Sequence, residues 1–285
     1  MSDNMYPTSL ADIPVWSHAN GVTTSEANVR FMEFVVLTCI ASSPITASSM
    51  VFKGGNALRF AYRSPRSTKD LDFSVAANGL PDDADKIRDI LNQALRYAER
   101  RFDVKAKCQR VKRNPMNRQA TWPTYDIAIG YQLRSDPYFH NFETRNVATV
   151  IPVEVSLNDL VCETAACAGL PSLRVCSLED ILAEKLRSLL QQKSRHRNRF
   201  QDVYDIARYA SEINIDPNKV AEYLKQKSRI RGIDVRKSSF DEETRRLAAQ
   251  DYDSRIHQQA PRNFIPFEDA WQNVLSLVHS LDIPD

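Results

Sequence analysis

The chain has 285 residues, enough for one large domain or two ordinary ones of roughly 100 to 200 residues each. Its 38 Lys and Arg nearly balance 36 Asp and Glu, a formal net charge of +2, so no global field marks a binder of nucleic acid or membranes and such a signal must come from local clusters. Five cysteines (Cys39, Cys108, Cys162, Cys167 and Cys176) without a C-x-x-C pair, no leader-like N-terminus, and no apolar run near the roughly 18 residues of a membrane span lead us to expect a soluble, cytoplasmic protein without disulfides or a zinc site.

Residues 25–42 are apolar enough for a buried helix, with Ser25 placed to cap it. In "MVFKGGNALRFAYR" an apolar pair meets Gly54 and Gly55, and Ala57, Leu58, Phe60 and Ala61 follow at helical spacing, so strand, tight glycine turn and short helix are expected. "STKDLDFSV" alternates, which puts Asp70 and Asp72 on one face of a strand and Leu71, Phe73 and Val75 on the other. An amphipathic helix is predicted over 81–101, and strands over 102–112, 124–134 and 147–157. From about residue 176 the pattern turns helical: "SLEDILAEKLRSLLQQ" with Ser177 as cap, the basic "KSRHRNRF", then "QDVYDIARYASEI", "DPNKVAEYLKQK" and "FIPFEDAWQNVLSLVHSL". The expected organisation is an α/β domain over 1–170 and a helical domain over 171–285.

Two carboxylates on one strand face, Asp70 and Asp72, can coordinate Mg²⁺ for in-line phosphoryl displacement. A D-x-D alone also occurs on solvated surfaces. Here a glycine pair precedes it, able to bring bare backbone N–H groups to a phosphate at a helix start, with Lys53, Arg59, Arg63 and Arg66 nearby in sequence. Glu154 interrupts an apolar strand pattern in "VIPVEVSLND"; it is either a third metal ligand or an exposed residue of an edge strand, which Pro152 permits.

Basic residues cluster at Lys185, Arg187, Lys193, Arg195, Arg197 and Arg199, again at Arg100, Arg101, Lys105, Lys107, Arg110, Lys112, Arg113 and Arg118, and at Lys225, Lys227, Arg229, Arg231, Arg236 and Lys237. They form either phosphate-binding surface or solvated faces. Asp202 and Asp205, three apart, share a helix face. No G-x-S-x-G, Walker A or G-x-G-x-x-G motif occurs, and the five histidines lack ligand spacing.

"KGGNALRFAYRSPRSTKDLDFSV", "VIPVEVSL", "LEDILAEKLRSLL" and "RFQDVYDIARY", in this order, resemble the motifs of the AbiEii/MenT-type nucleotidyltransferase toxins of type IV toxin–antitoxin and abortive-infection systems. The resemblance implies an α+β fold: a DNA polymerase β-like nucleotidyltransferase domain, a mixed sheet with helices, followed by a helical C-terminal domain. It implies transfer of an NMP from an NTP, with Mg²⁺, to the 3′ end of tRNA, which would block aminoacylation and translation, and a separately encoded antitoxin; neither a membrane nor DNA is expected as partner.

By position, Gly54 and Gly55 match the glycine pair, Thr68 the Ser/Thr before the first acid, and Asp70 and Asp72 the metal-binding acids. Lys53 and Arg66 would join the glycines and Thr68 in holding phosphates. Lys185 matches the lysine of the E-K-L motif and would neutralise the leaving pyrophosphate; Asp202 matches the first aspartate of an R-D-x-x-D motif, with Asp205 the second, and would orient Lys185 or touch the nucleotide. Gln201 and Asn56 depart from the usual arginine and threonine. Rival readings are a non-catalytic RNA-binding protein of the same fold, or NMP transfer to a protein or small molecule.

Overall fold

The computed structural model describes residues 5–66, 68–76, 78–210 and 215–285. The chain divides into two compact units, one of residues 1–63 and 69–175, the other of residues 64–68 and 176–285.

In the first unit α1 (Ile13–Asn20), α2 (Thr24–Ser42) and α3 (Pro44–Ser49) lead into β1 (Met50–Lys53), α4 (Gly54–Tyr62), β2 (Leu71–Val75) and α5 (Ala84–Phe102). Strands β3 (Val104–Asn114), β4 (Thr124–Leu133), β5 (Val150–Leu157), β6 (Thr164–Cys167) and β7 (Leu170–Cys176) complete a seven-stranded sheet of order β3-β4-β5-β2-β1-β7-β6. It is mixed: β1 runs antiparallel to β2 and parallel to β7, β2 parallel to β5, and β4 antiparallel to both β3 and β5.

The two faces of this sheet differ sharply in character. Phe52 lies opposite Phe73, Leu71 opposite Val153 and Ile127 opposite Val153, all buried. This face meets Phe60 of α4, and α2 and α5 lock to each other through Phe31 and Phe34 edge-on to Phe102. Period-two alternation sends every second residue to the opposite face, which carries the polar set of β2, β4 and β5.

Three local expectations are corrected. The cap of α2 is Thr23, not Ser25: its backbone is extended and its hydroxyl accepts from the Glu26 amide, a Thr-x-x-Glu start two residues earlier than expected. Asp70 precedes the first strand residue, Leu71, rather than lying within β2. Strand β5 is interior, between β4 and β2, not at an edge; Pro152 is tolerated because the parallel pairing with β2 begins one residue later, at Val153.

The second unit is helical: α6 (Leu178–Leu190), α7 (Gln192–Arg195), α8 (Phe200–Ala210), α9 (Pro217–Ile230), α10 (Glu242–Ala249), α11 (Tyr252–Gln259) and α12 (Phe267–Ser280). Ser177 caps α6 by accepting from the Asp180 amide, and Asp216 caps α9 through the Asn218 amide. The basic stretch after α6 forms one helical turn because buried Gln192 ties it down, accepting from the Arg199 amide and donating to the Thr244 carbonyl. The end of the helix predicted through Ile213 lies outside the described residues.

Candidate active site

The site in the first unit begins at the β1–α4 turn. Lys53 is extended, and Gly54 opens α4 with φ +74°, a left-handed value that a side chain resists. Space is a second constraint: a Cβ on Gly54 would stand 2.2 Å from Oδ2 of Asp72. The Asp72 carboxylate therefore rests against the bare Cα at the N-terminus of α4, the end of a helix that favours negative charge.

Register places the remaining acids. Asp72 is the partner of Glu154 on β5, Glu154 that of Asp126 on β4, and Lys53 on β1 is the partner of Asp72. Partners in register share a face, so Asp126, Glu154, Asp72 and Lys53 form one row across four adjacent strands, about 4.8 Å from each to the next. All four are half-buried, while Asp70 is exposed. The Asp70 backbone is fixed from below: its carbonyl accepts from Nδ2 of fully buried Asn56 at 2.9 Å.

At the positive end of the row, Lys53 Nζ donates to Asp159 Oδ2 at 2.6 Å and Ser156 Oγ at 3.1 Å, and Ser74 Oγ donates to the same Asp159 oxygen at 2.7 Å. The ammonium is thus already coordinated by protein. At the other end Asn114 Nδ2 donates to Asp126 Oδ2. Asp126 is absent from the residues singled out by sequence, although "TYDIAIG" has the same signal as Glu154, one acid on the polar phase of an apolar strand.

Among the described residues no group of three or more His, Cys, Asp and Glu side chains is placed to hold a metal ion. Mg²⁺ needs no such group, since it is held by one or two carboxylates together with waters and substrate phosphates. Oxygen donors on two neighbouring strands beside a bare glycine cradle fit that ion.

The second unit gathers the other residues. Arg66 is paired with Asp205 through two bonds, Nε to Oδ1 at 2.8 Å and Nη2 to Oδ2 at 2.6 Å, and also donates to Gln259. Lys185 Nζ lies 2.7 Å from Asp202 Oδ1 and 2.9 Å from Asp205 Oδ2. All four are buried, with Asp205 only 1 % exposed. Burial pushes the Lys185 ammonium down, but Asp202 and Asp205 outweigh it and the pKa stands above the ordinary value. Burial pushes Asp205 up, yet Arg66 and Lys185 hold it below the usual carboxylate range. Thr68, half-buried, belongs to this unit as well.

A strand leading through a glycine turn into a helix, with an acid on the antiparallel neighbour and another on the parallel strand beyond, belongs to a mixed α+β unit, and the second unit is helical. A solved structure of a candidate nucleotidyltransferase from H. pylori is similar in fold, with a TM-score of 0.51 at 15% identity over 90% of this chain and 95% of that one. A second, JHP933 from Helicobacter pylori, aligns at a TM-score of 0.40 and 12% identity over 90% of this chain and 91% of that one. No curated protein matches the chain.

The profile of the AbiEii nucleotidyl transferase toxins of type IV toxin–antitoxin systems matches residues 35–276. The chain belongs to this family. Membership supports nucleotidyl transfer in general and implies an antitoxin as partner. No helix among the described residues is long and apolar enough to cross a membrane.

Proposed function

We propose that the protein is a Mg²⁺-dependent enzyme that transfers an NMP from an NTP to the 3′ end of tRNA, blocking aminoacylation and hence translation in the cytoplasm. The observation that carries this reading is the Asp72 carboxylate seated on Gly54 and in register with Glu154. It supplies acidic oxygens beside a helix N-terminus, the two partners that a metal-bound triphosphate needs.

Asp70 and Asp72, with Glu154 beside them, would hold Mg²⁺. When bound, the ion neutralises phosphate oxygens and the charge that develops in an in-line displacement. The amides of Gly54 and Gly55 take the phosphates; Thr68 is given a phosphate-binding role by the family resemblance alone. Lys53, held by Asp159 and Ser156, adds positive potential. Asp70 or Asp72 accepts the proton of the acceptor 3′-hydroxyl as its oxygen bonds to the α-phosphorus. The bond to pyrophosphate breaks in the same displacement. Within the second unit Asp202 and Asp205 keep Lys185 protonated and Arg66 fixes Asp205; the family resemblance gives this lysine the role of neutralising the leaving pyrophosphate.

The test is incubation with α-labelled NTPs, Mg²⁺ and total tRNA. Label is expected on RNA, with Asp70→Ala and Asp72→Asn each reducing transfer at least about a hundredfold. Absence of label on any RNA, protein or small molecule with every NTP would sink the reading.

A further inference from the structure

The charged row continues beyond Asp126. Lys112 on β3 is the partner of Asp126, so Lys112, Asp126, Glu154, Asp72 and Lys53 lie along one line across five strands. β3 is an edge strand of the sheet.

Its bulge arranges the cations. Lys105, Lys107, Arg110 and Lys112 pair with Gln132, Gly130, Ala128 and Asp126, residues two apart on β4, so all four face the same way. Odd-numbered and even-numbered positions share that face only because the register shifts between Cys108 and Arg110. The extra residue, Gln109, folds over Gly130, donating to the Val147 carbonyl and accepting from its amide.

Not all of these charges are available. Lys105 sits over the Phe139 ring at 4.9 Å, and Lys107 donates to the Phe142 and Glu143 carbonyls at 2.8 Å. Arg113, on the other face, grips Asp82. Arg110 and Lys112 are exposed, and among the described residues neither side chain enters a hydrogen bond or ion pair.

We infer that Arg110 and Lys112 are the track that holds the phosphate backbone of the acceptor RNA behind its reacting 3′ end. The inference rests on the nucleotidyl-transfer reading, because the triphosphate then occupies the β1–α4 flank of the carboxylates and the acceptor enters from the opposite flank. β3 lies two strand spacings from Glu154, about 10 Å, a distance suited to nucleotides just behind a reacting hydroxyl. Two residues along a strand are about 6.8 Å apart, comparable with neighbouring phosphates of a single strand. Asp126 repels a polyanion from the gap and favours the edge strand, where the unpaired cations stand.

The experiment measures binding of a 5′-labelled RNA with a single-stranded 3′ end by fluorescence anisotropy, without NTP, across a salt series. Lys112→Ala and Arg110→Ala are each expected to flatten the slope of log affinity against log salt by about 0.7, and the double variant by about twice that. In transfer assays the double variant should raise KM for RNA about threefold to tenfold while KM for NTP stays unchanged. Arg88→Ala, on α5 and paired with Asp85, serves as the control and keeps the wild-type slope. A wild-type slope in the double variant overturns the inference. If the native protein transfers no label while the double variant still loses RNA affinity, the transfer reading and the acceptor role fail together, and Arg110 and Lys112 stand as an RNA-binding surface without that role.

Discussion

At the scale of single residues, Gly54 shows most directly how backbone and chemistry are joined. Its φ of +74° and the 2.2 Å approach to Asp72 are independent barriers to any side chain. Gly54→Ala must rotate the turn or displace the carboxylate, so transfer should fall about a hundredfold or more, with a stability cost of about 1–3 kcal/mol seen in urea denaturation. A variant that keeps full activity would show that the Asp72 position is not required. The glycine and the acid were both legible in sequence, but their contact was not. Nothing in "KGGNALRFAYRSPRSTKDLDF" indicates that β1 and β2 pair antiparallel and bring residues 54 and 72 together. Arg66 illustrates the opposite limit. Nearness in sequence to the glycines made it a phosphate ligand, whereas its guanidinium is held by Asp205, 139 positions away; long-range pairing leaves no local signature.

At the scale of elements, the buried set of α6 and α8 makes a pH prediction. Asp205 has its pKa below the ordinary 3.8 in the folded state, so the unfolded chain binds protons first as pH falls. Its contribution to stability is complete above about pH 4 and is lost as pH drops through the lower folded value. Lys185 is displaced upward, so its contribution persists through neutral pH and is lost only as pH rises above its ordinary 10.5. Asp205→Asn leaves Arg66 and Lys185 buried without that countercharge and should cost about 3–5 kcal/mol at pH 7. Urea midpoints recorded from pH 2 to 7 check both points, since the acid-limb slope of the native protein should be shallower in the variant. Spacing alone showed that Asp202 and Asp205 share a face, as three residues along a helix must. That the face closes on Lys185 follows from helix packing, which periodicity does not specify. The sheet was less legible than the helices: residues 164–176 are small and mixed in pattern, and β6 and β7 emerge only through pairing at the far edge.

At the scale of the molecule, membership of the toxin family and the proposed site together predict a phenotype. Induced expression without an antitoxin should arrest growth, and Asp72→Asn should restore it at equal protein level, measured by colony counts and immunoblot. Arrest by the Asp72→Asn protein would separate toxicity from the chemistry assigned here. The division into units has a consequence of another kind. The chain passes from the first unit to the second at residue 64, returns at 69 and leaves again at 176. A fragment ending at 175 would retain Arg66 but lose Asp205, and one starting at 176 would retain Asp205 but lose Arg66. Each piece would inherit half of a buried ion pair. The helical unit is therefore not a module that one cut can release or one recombination event can exchange: a functional chimera would have to carry residues 64–68 from within the donor's first unit along with residues 176–285.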